Sequence, residues 1–341
     1  MSSRNYHLAT AFDGLSLAAA LRRLIADRSW SQIRRLIAGR YVQVNGNLCL
    51  DEGRRVKGGD VVKVWDHPLA QPAGEQDIRL VHVDRQLVVV QKPAGVTTLR
   101  HREESDLPQR RKQLQPTLDE LVPRALARHL GVAMPEERSK GRSQPKDARL
   151  VVRAVHRLDR DTSGLMMFAR TVEAEQKLIR MFARHEVQRA YVAVAHGRVE
   201  AQTINTWLIR DRGDGLRGST PLGESADRAQ RAITHIRPME HVKTAEGVEY
   251  TILECRLETG RTHQIRIHLS EIGHMLCGEK TYTHPVGGNS RPDMSRAPRH
   301  ALHAAELAFV HPMTSEPLRF RMPLPKDLRE WIIRLRGHRP E

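Results

Sequence analysis

Residues 67–78, HPLAQPAGEQDI, hold two prolines and a glycine among polar residues, and they separate two stretches of very different pattern. A Pro/Gly/polar run of this kind reads as a linker, so the chain is expected to form two units and not one continuous core. The 341 residues leave room for this. A domain takes roughly 150 residues, and larger chains tend to divide.

Upstream, over residues 13–66, the apolar period is helical. Leu17, Leu21, Leu24 and Ile25 share one face, and Ser29 with Gln32 three residues later forms a capping-box signal for a second helix through Ile33, Leu36 and Ile37. Gly39 is the expected stop. Tyr41–Val44 then alternates into the turn signal Asn45-Gly46, and Val61–Trp65 supplies another strand. Residues 15–65 carry ten Lys/Arg against four Asp/Glu, with Arg22, Arg23, Arg34, Arg35 and Arg40 on or just after the helices. Over the whole chain 56 basic residues face 40 acidic ones, a formal charge of +16. Such a surplus attracts polyanions, and the preponderance of Arg suits forked contact with phosphates and stacking on bases. GC-rich coding would also enrich Arg, and a basic helix face can simply be solvated. The sharper reading is a phosphate-gripping surface.

Downstream, over residues 79–336, strand-like runs dominate: 80–83, 87–90, 151–155, 191–195, 232–236, 250–257, 304–309 and 318–322. Helices are expected at 118–130 behind a Thr117/Glu120 capping box, at 172–184, at 263–271 with Thr262 as cap, and at 326–336. Strands without regular helical alternation predict an α+β body on a mixed, mainly antiparallel sheet. A basic insertion at about 100–150 contains Arg110-Arg111-Lys112 and a segment, 133–149, without apolar periodicity.

The densest polar cluster is His156-Arg157-Leu158-Asp159-Arg160-Asp161-Thr162-Ser163-Gly164, a turn between two apolar runs. Flanking guanidinium groups favour an ionised Asp159, suited to attack on a sugar carbon or a base. A turn whose carboxylates only cap backbone N–H groups is the reading that composition alone favours. A glycosidase pair of Asp159 and Asp161 is disfavoured, because residues two apart on a turn cannot flank a bond ~5–9 Å across. In Thr259-Gly260-Arg261-Thr262-His263-Gln264-Ile265-Arg266-Ile267-His268, the five-residue offset of the two histidines argues against a metal site. Cys49, Cys255 and Cys277 are too scattered for a disulfide framework and point to a reducing compartment. No run approaches ~18 apolar residues, and MSSRNYHLATAFDGL lacks an export signal, so no membrane and a cytoplasmic location are expected.

Two resemblances sharpen these readings. The helix pair ending in GRYVQVNG and followed by GRRVKGGDVVKVW resembles the alpha-L RNA-binding domain named after ribosomal small-subunit protein four. DRQLVVVQKPAGV, HRLDRDTSGLMMFAR, RAYVAVAHGRV, LETGRTHQIRIHL and ALHAAELAFVHP resemble, in order, the motifs of the RluA-type pseudouridine synthases. The resemblance implies that Asp159 is the essential aspartate, nucleophile or base, and that Arg266 is its partner. It further implies that Tyr191 stacks on the target base, Leu302 closes the base pocket and Arg157 fills the gap left by the flipped base. It implies an RNA partner, large-subunit ribosomal RNA first and transfer RNA second, and no metal or cofactor; the single copy of each motif points to a monomer. A nonenzymatic RNA-binding assembly factor is the alternative. The chain departs from the family pattern after KPAG, where it reads Val96-Thr97-Thr98-Leu99-Arg100.

Overall fold

The computed structural model describes residues 3–45, 47–69, 74–100, 115–134, 147–220, 229–285, 287–291 and 293–337. Gly46 of the predicted turn, Arg110-Arg111-Lys112 and residues 135–146 of the predicted basic segment lie outside the described residues. The chain divides into two compact units, the first Met1–Ala73 with His101–Pro116 and the second Gly74–Arg100 with Thr117–Glu341.

In the first unit, helices α1 (Leu17–Leu24) and α2 (Trp30–Ala38) form where the apolar period places them. The capping box closes reciprocally: the Gln32 N–H donates to Ser29 Oγ at 3.3 Å, and the Ser29 N–H donates to Gln32 Oε1 at 2.7 Å. Gly39 ends α2. Leu17, Leu21, Ile33 and Ile37 turn inward onto Val42, Val44 and Val62, all at most 1% exposed. Each such side chain contributes about 1.5–3 kcal/mol of burial. The sheet beneath is antiparallel, in the order β1 (Ser3–His7), β4 (Val61–Trp65), β2 (Val42–Val44), β3 (Asn47–Leu48). Strand β1 is absent from the sequence reading because SRNYH has no apolar alternation. Its order comes from the five-residue ladder with β4.

The second unit is built on eleven strands. The path runs β11 (Gly218–Thr220), β10 (Gln202–Ile209), β12 (Gln230–Lys243), β13 (Glu249–Leu257), β9 (Gln188–His196), β14 (Leu302–Val310), β8 (Ser163–Ala169), β6 (Leu87–Lys92), β5 (Arg79–Val83). Strand β15 (Pro317–Arg321) adds to β14, and β7 (Arg153–Ala154) adds to β8. All pairs are antiparallel except β8 with β14, so the expected mixed, mainly antiparallel α+β body is what forms. That parallel pair is very close. A Cβ on Gly164, whose φ is +133°, would lie 2.3 Å from the Ala304 carbonyl oxygen.

Helices α3 (Leu118–Leu130), α4 (Val172–Ala183), α5 (Gln264–Glu271) and α6 (Lys326–Leu335) complete the unit. Amphipathic α4 lays Ala174 and Leu178 on Leu87, Met167 and Leu307, and α6 lays Trp331 and Ile332 on Val194 and Ile252. Three expectations change. The run 151–155 is a strand only over Arg153–Ala154, since the chain leaves the sheet where the His156 ring accepts the Met167 N–H at 3.0 Å. Strands β10 and β11 were not anticipated, their apolar alternation being weak. Thr262 does not cap α5: the cap is His263 in the left-handed region at φ 60°, without a side-chain bond. The Gln264 carboxamide does the tying instead, accepting from the Arg261 N–H at 3.0 Å and Thr259 Oγ1 at 2.8 Å.

Candidate active site

The loop between β7 and β8, which carries Asp159, is fastened from three directions. Lys92, fully buried at the end of β6, donates from Nζ to the carbonyls of Arg160 and Thr162, each at 2.8 Å, and of Pro93 at 3.1 Å. Burial pulls the Lys92 pKa down to about 7 against Asp161 and Asp159. Three carbonyl acceptors require three N–H bonds, so the geometry is that of the ammonium form. Arg299 donates from Nη1 to the Asp161 carbonyl and from Nη2 to Ser163 Oγ, both at 2.9 Å, while its Nε reaches Asp327 Oδ2 at 2.7 Å. Thr98 Oγ1 donates to the Leu158 carbonyl at 2.8 Å and accepts the Leu158 N–H at 3.2 Å. The departure from the family pattern thus supplies one of the fasteners.

On this loop the Asp159 carboxylate is 16% exposed, while that of Asp161 is 42% exposed and near Arg160 only at 3.9 Å. Arg266, from α5, donates from Nη1 to Asp159 Oδ2 at 3.2 Å. Its other edge is gripped bidentately by Glu279, at 2.8 Å from Nε and 2.7 Å from Nη2. Glu279 in turn accepts the backbone N–H groups of Lys280 at 3.0 Å and Thr281 at 2.9 Å. Burial alone would raise the Glu279 pKa; the Arg266 bonds overturn it and hold it at about 2. Burial likewise raises the Asp159 pKa, and the cationic surroundings of His263, Arg266 and His300 bring it below the ordinary carboxylate range. Burial also lowers the pKa values of both histidines, that of His300 to about 4, so at neutral pH Arg266 is the cation that holds Asp159 ionised.

His263 Nε2 stands 3.7 Å from Asp159 Oδ1, and its Nδ1 meets the Tyr282 hydroxyl at 2.7 Å. The Tyr282 ring lies 5.2 Å from the Arg266 guanidinium carbon. His300 Nε2 bonds Thr162 Oγ1 at 2.9 Å. His263 and Thr162 open onto a cavity of about 570 Å³ whose wall also includes Arg157, Asp159, Tyr191, Arg266 and Leu302. Tyr191 and Leu302 are buried, and burial raises the Tyr191 phenol pKa. Arg157 is exposed at the wall, without a hydrogen bond or ion pair to the described residues. All five body residues singled out from the sequence therefore share one cavity.

The five remaining candidates lie on the first unit. Arg23, Arg34 and Arg35 are exposed and Arg22 and Arg40 partly so, with Arg22 Nη1 donating to the Ala26 carbonyl at 2.9 Å and Arg34 Nε 3.2 Å from Glu52 Oε2. The sequence reading missed Lys92 as a fastener, along with Glu279, Arg299, His300 and Tyr282. Only Lys92 left a signal, a lysine closing the apolar run Leu87–Val90. Among the described residues no group of three or more His, Cys, Asp or Glu could hold a metal ion, and no helix is long and apolar enough to cross a membrane.

Residues 86–271 match the family model described as RNA pseudouridylate synthase, and residues 17–62 match that of the S4 domain. The chain is 34% identical over 334 residues to a Vibrio parahaemolyticus protein named ribosomal large subunit pseudouridine synthase D, covering 92% of this chain and 89% of that one. A Zymomonas mobilis protein of the same name is 33% identical over 330 residues, covering 92% of each. A solved human structure, RNA pseudouridylate synthase domain containing 4, shares the fold at a TM-score of 0.53 and 20% identity, covering 75% of this chain and 92% of that one.

Proposed function

The chain belongs to the RNA pseudouridylate synthase family and carries an S4 domain, and from that premise we propose that it isomerises uridines of large-subunit ribosomal RNA, with Asp159 as the reacting carboxylate. The observation that carries this reading is the ionised Asp159 held by a guanidinium that Glu279 itself fixes, in a cavity shared with Tyr191. Isomerisation breaks the bond between ribose C1′ and uracil N1, rotates the base and joins C1′ to C5. The proton lost from C5 balances the one gained at N1. An anionic group at the ribose stabilises the developing sugar cation or bonds to it, and needs no proton of its own.

Arg266 aims Asp159 and keeps it charged. Tyr191 stacks on the extruded base, and Leu302 closes the apolar side of its pocket. Arg157, unpaired at the wall, enters the stack that the base has left, which offsets part of the few kcal/mol of unstacking. Arg22, Arg23, Arg34, Arg35 and Arg40 bind phosphates of the structured RNA around the target. The protein works in the cytoplasm as a monomer. The large-subunit substrate is favoured by the names of relatives that align over nine-tenths of the chain.

Pseudouridines mapped by carbodiimide-sensitive reverse transcription, in cells with and without the gene, test the reading. A site in large-subunit ribosomal RNA that disappears with the gene, and returns with the wild-type protein but not with Asp159→Asn, is expected. Loss at transfer RNA alone would move the substrate, and full rescue by Asp159→Asn would remove Asp159 from the chemistry.

A further inference from the structure

We infer that Arg189 is the receptor for a backbone phosphate of the substrate, the phosphodiester next to the flipped uridine, at the Phe182 end of the catalytic cavity. The inference rests on the proposed RNA substrate. Arg189 lines that cavity and is only 8% exposed, yet no carboxylate among the described residues pairs with it. Its Nη2 donates to the Glu258 carbonyl at 3.1 Å, an oxygen that His185 Nδ1 also approaches at 2.5 Å. Its guanidinium carbon stands 5.4 Å from the Phe182 ring centroid. Nε is buried without a partner, and Nη1 bonds to no described protein atom.

This is an unusual way to keep a cation. An unpaired buried charge costs several kcal/mol, and one backbone carbonyl returns little of it. Elsewhere in this unit the buried guanidinium groups of Arg266 and Arg299 each meet a carboxylate. Around Arg189 the chain leaves space for the group instead. Gly260 approaches so closely that a Cβ there would lie 2.5 Å from Nη1. Asp159 does not complete the pair, because its carboxylate is engaged by Arg266.

The missing anion has to come from outside, and RNA offers one kind, the phosphodiester, which a planar fork of N–H donors fits well. The position along the strand agrees. Arg189 and Tyr191 are two residues apart on β9, so they point to the same side about 7 Å from one another. A base stacked on Tyr191 therefore brings its own sugar-phosphate into the part of the cavity that Arg189 lines. His185, Phe182 and Gly260 hold the guanidinium in place and are positioning residues for it.

The test uses the full chain with two small probes, uridine and uridine 3′,5′-bisphosphate, titrated by calorimetry against wild type, Arg189→Gln and Arg189→Lys. Wild type is expected to bind the bisphosphate at least tenfold more tightly than uridine. Arg189→Gln should reduce that preference to threefold or less, and Arg189→Lys should fall between. A preference unchanged in Arg189→Gln, or absent from wild type, overturns the inference. Should Arg189→Gln lose its circular dichroism signal, Arg189→Lys decides alone: a preference equal to wild type with KM and kcat unmoved on the mapped RNA overturns it, while a raised KM with kcat within twofold supports it. Binding of the probes needs no turnover, so a wild-type protein that isomerises no uridine would defeat the proposed function without deciding the phosphate site.

Discussion

The surroundings of Asp159 and the helix face of the first unit are both rich in arginine, and they use most of it in opposite ways. Around Asp159 three cationic side chains are buried and committed: Arg266 to Asp159 and Glu279, Arg299 to Asp327, Lys92 to three carbonyls. On α1 and α2 the guanidinium groups of Arg23 and Arg35 stand in water. A buried pair fixes geometry, because breaking it strands a charge and costs about 3–5 kcal/mol. An exposed arginine fixes almost nothing in the free protein and waits for a phosphate. Substitutions in the first region should therefore be few and severe, and in the second graded and additive.

The sharpest break is expected at Asp159. Asp159→Asn keeps the shape and removes the charge, so turnover should fall by about 10⁴-fold or more while RNA affinity stays within a few fold. Single-turnover assays beside filter binding separate the two, and a loss in affinity as large as the loss in rate would place Asp159 in recognition. Next in size is Lys92→Met, which leaves up to three carbonyls without their buried donor. A loss of about 3 kcal/mol in urea unfolding is expected. A change below about 0.5 kcal/mol would mean that Thr98 and Arg299 hold the loop unaided.

Glu279 adds a dependence on acid. Its folded-state pKa is depressed to about 2, so its stabilisation is present above the ordinary glutamate pKa and drains away as pH falls from there toward 2. The thermal midpoint of wild type should drop over that window. Glu279→Gln, less stable at neutral pH, should show a shallower drop, and equal slopes would separate Glu279 from the acid response.

The two regions also differ in how much of them a sequence reveals. Helices α1 and α2 follow from local signals, namely apolar period, capping box and glycine stop, all within a few residues. The cavity residues Asp159, Tyr191 and Arg266 were legible through motifs, but the groups that support them were not. Glu279 reaches Arg266 from thirteen residues away and Arg299 reaches Asp161 from 138. No periodicity joins such positions, and the parallel β8–β14 pairing brings the second of them together. Thr262 failed as a cap for the same reason: Gln264, buried by the surrounding strands, ties the turn through Thr259 and the Arg261 N–H, and the helix begins one residue later, behind His263. Strand β1 likewise owes its order to a partner far along the chain, Trp65 opposite Ser3.

The smallest effects are expected on the helix face, and there the comparison can be refined within one turn of α2. Arg34 Nε sits 3.2 Å from Glu52 Oε2, with both side chains more than half exposed. Such a pair is worth about 0–1 kcal/mol, and Arg34 must loosen it before a phosphate can take its full charge. Arg35, its neighbour, has no ion pair with the described residues, so its charge is undivided. Arg35→Gln should therefore weaken RNA binding by about threefold and lower the slope of log affinity against log salt by about one. Arg34→Gln should do less on both counts, and Glu52→Gln, which frees Arg34, should tighten binding slightly. Equal losses at Arg34 and Arg35 would show that the Glu52 pair gives way without cost when RNA arrives.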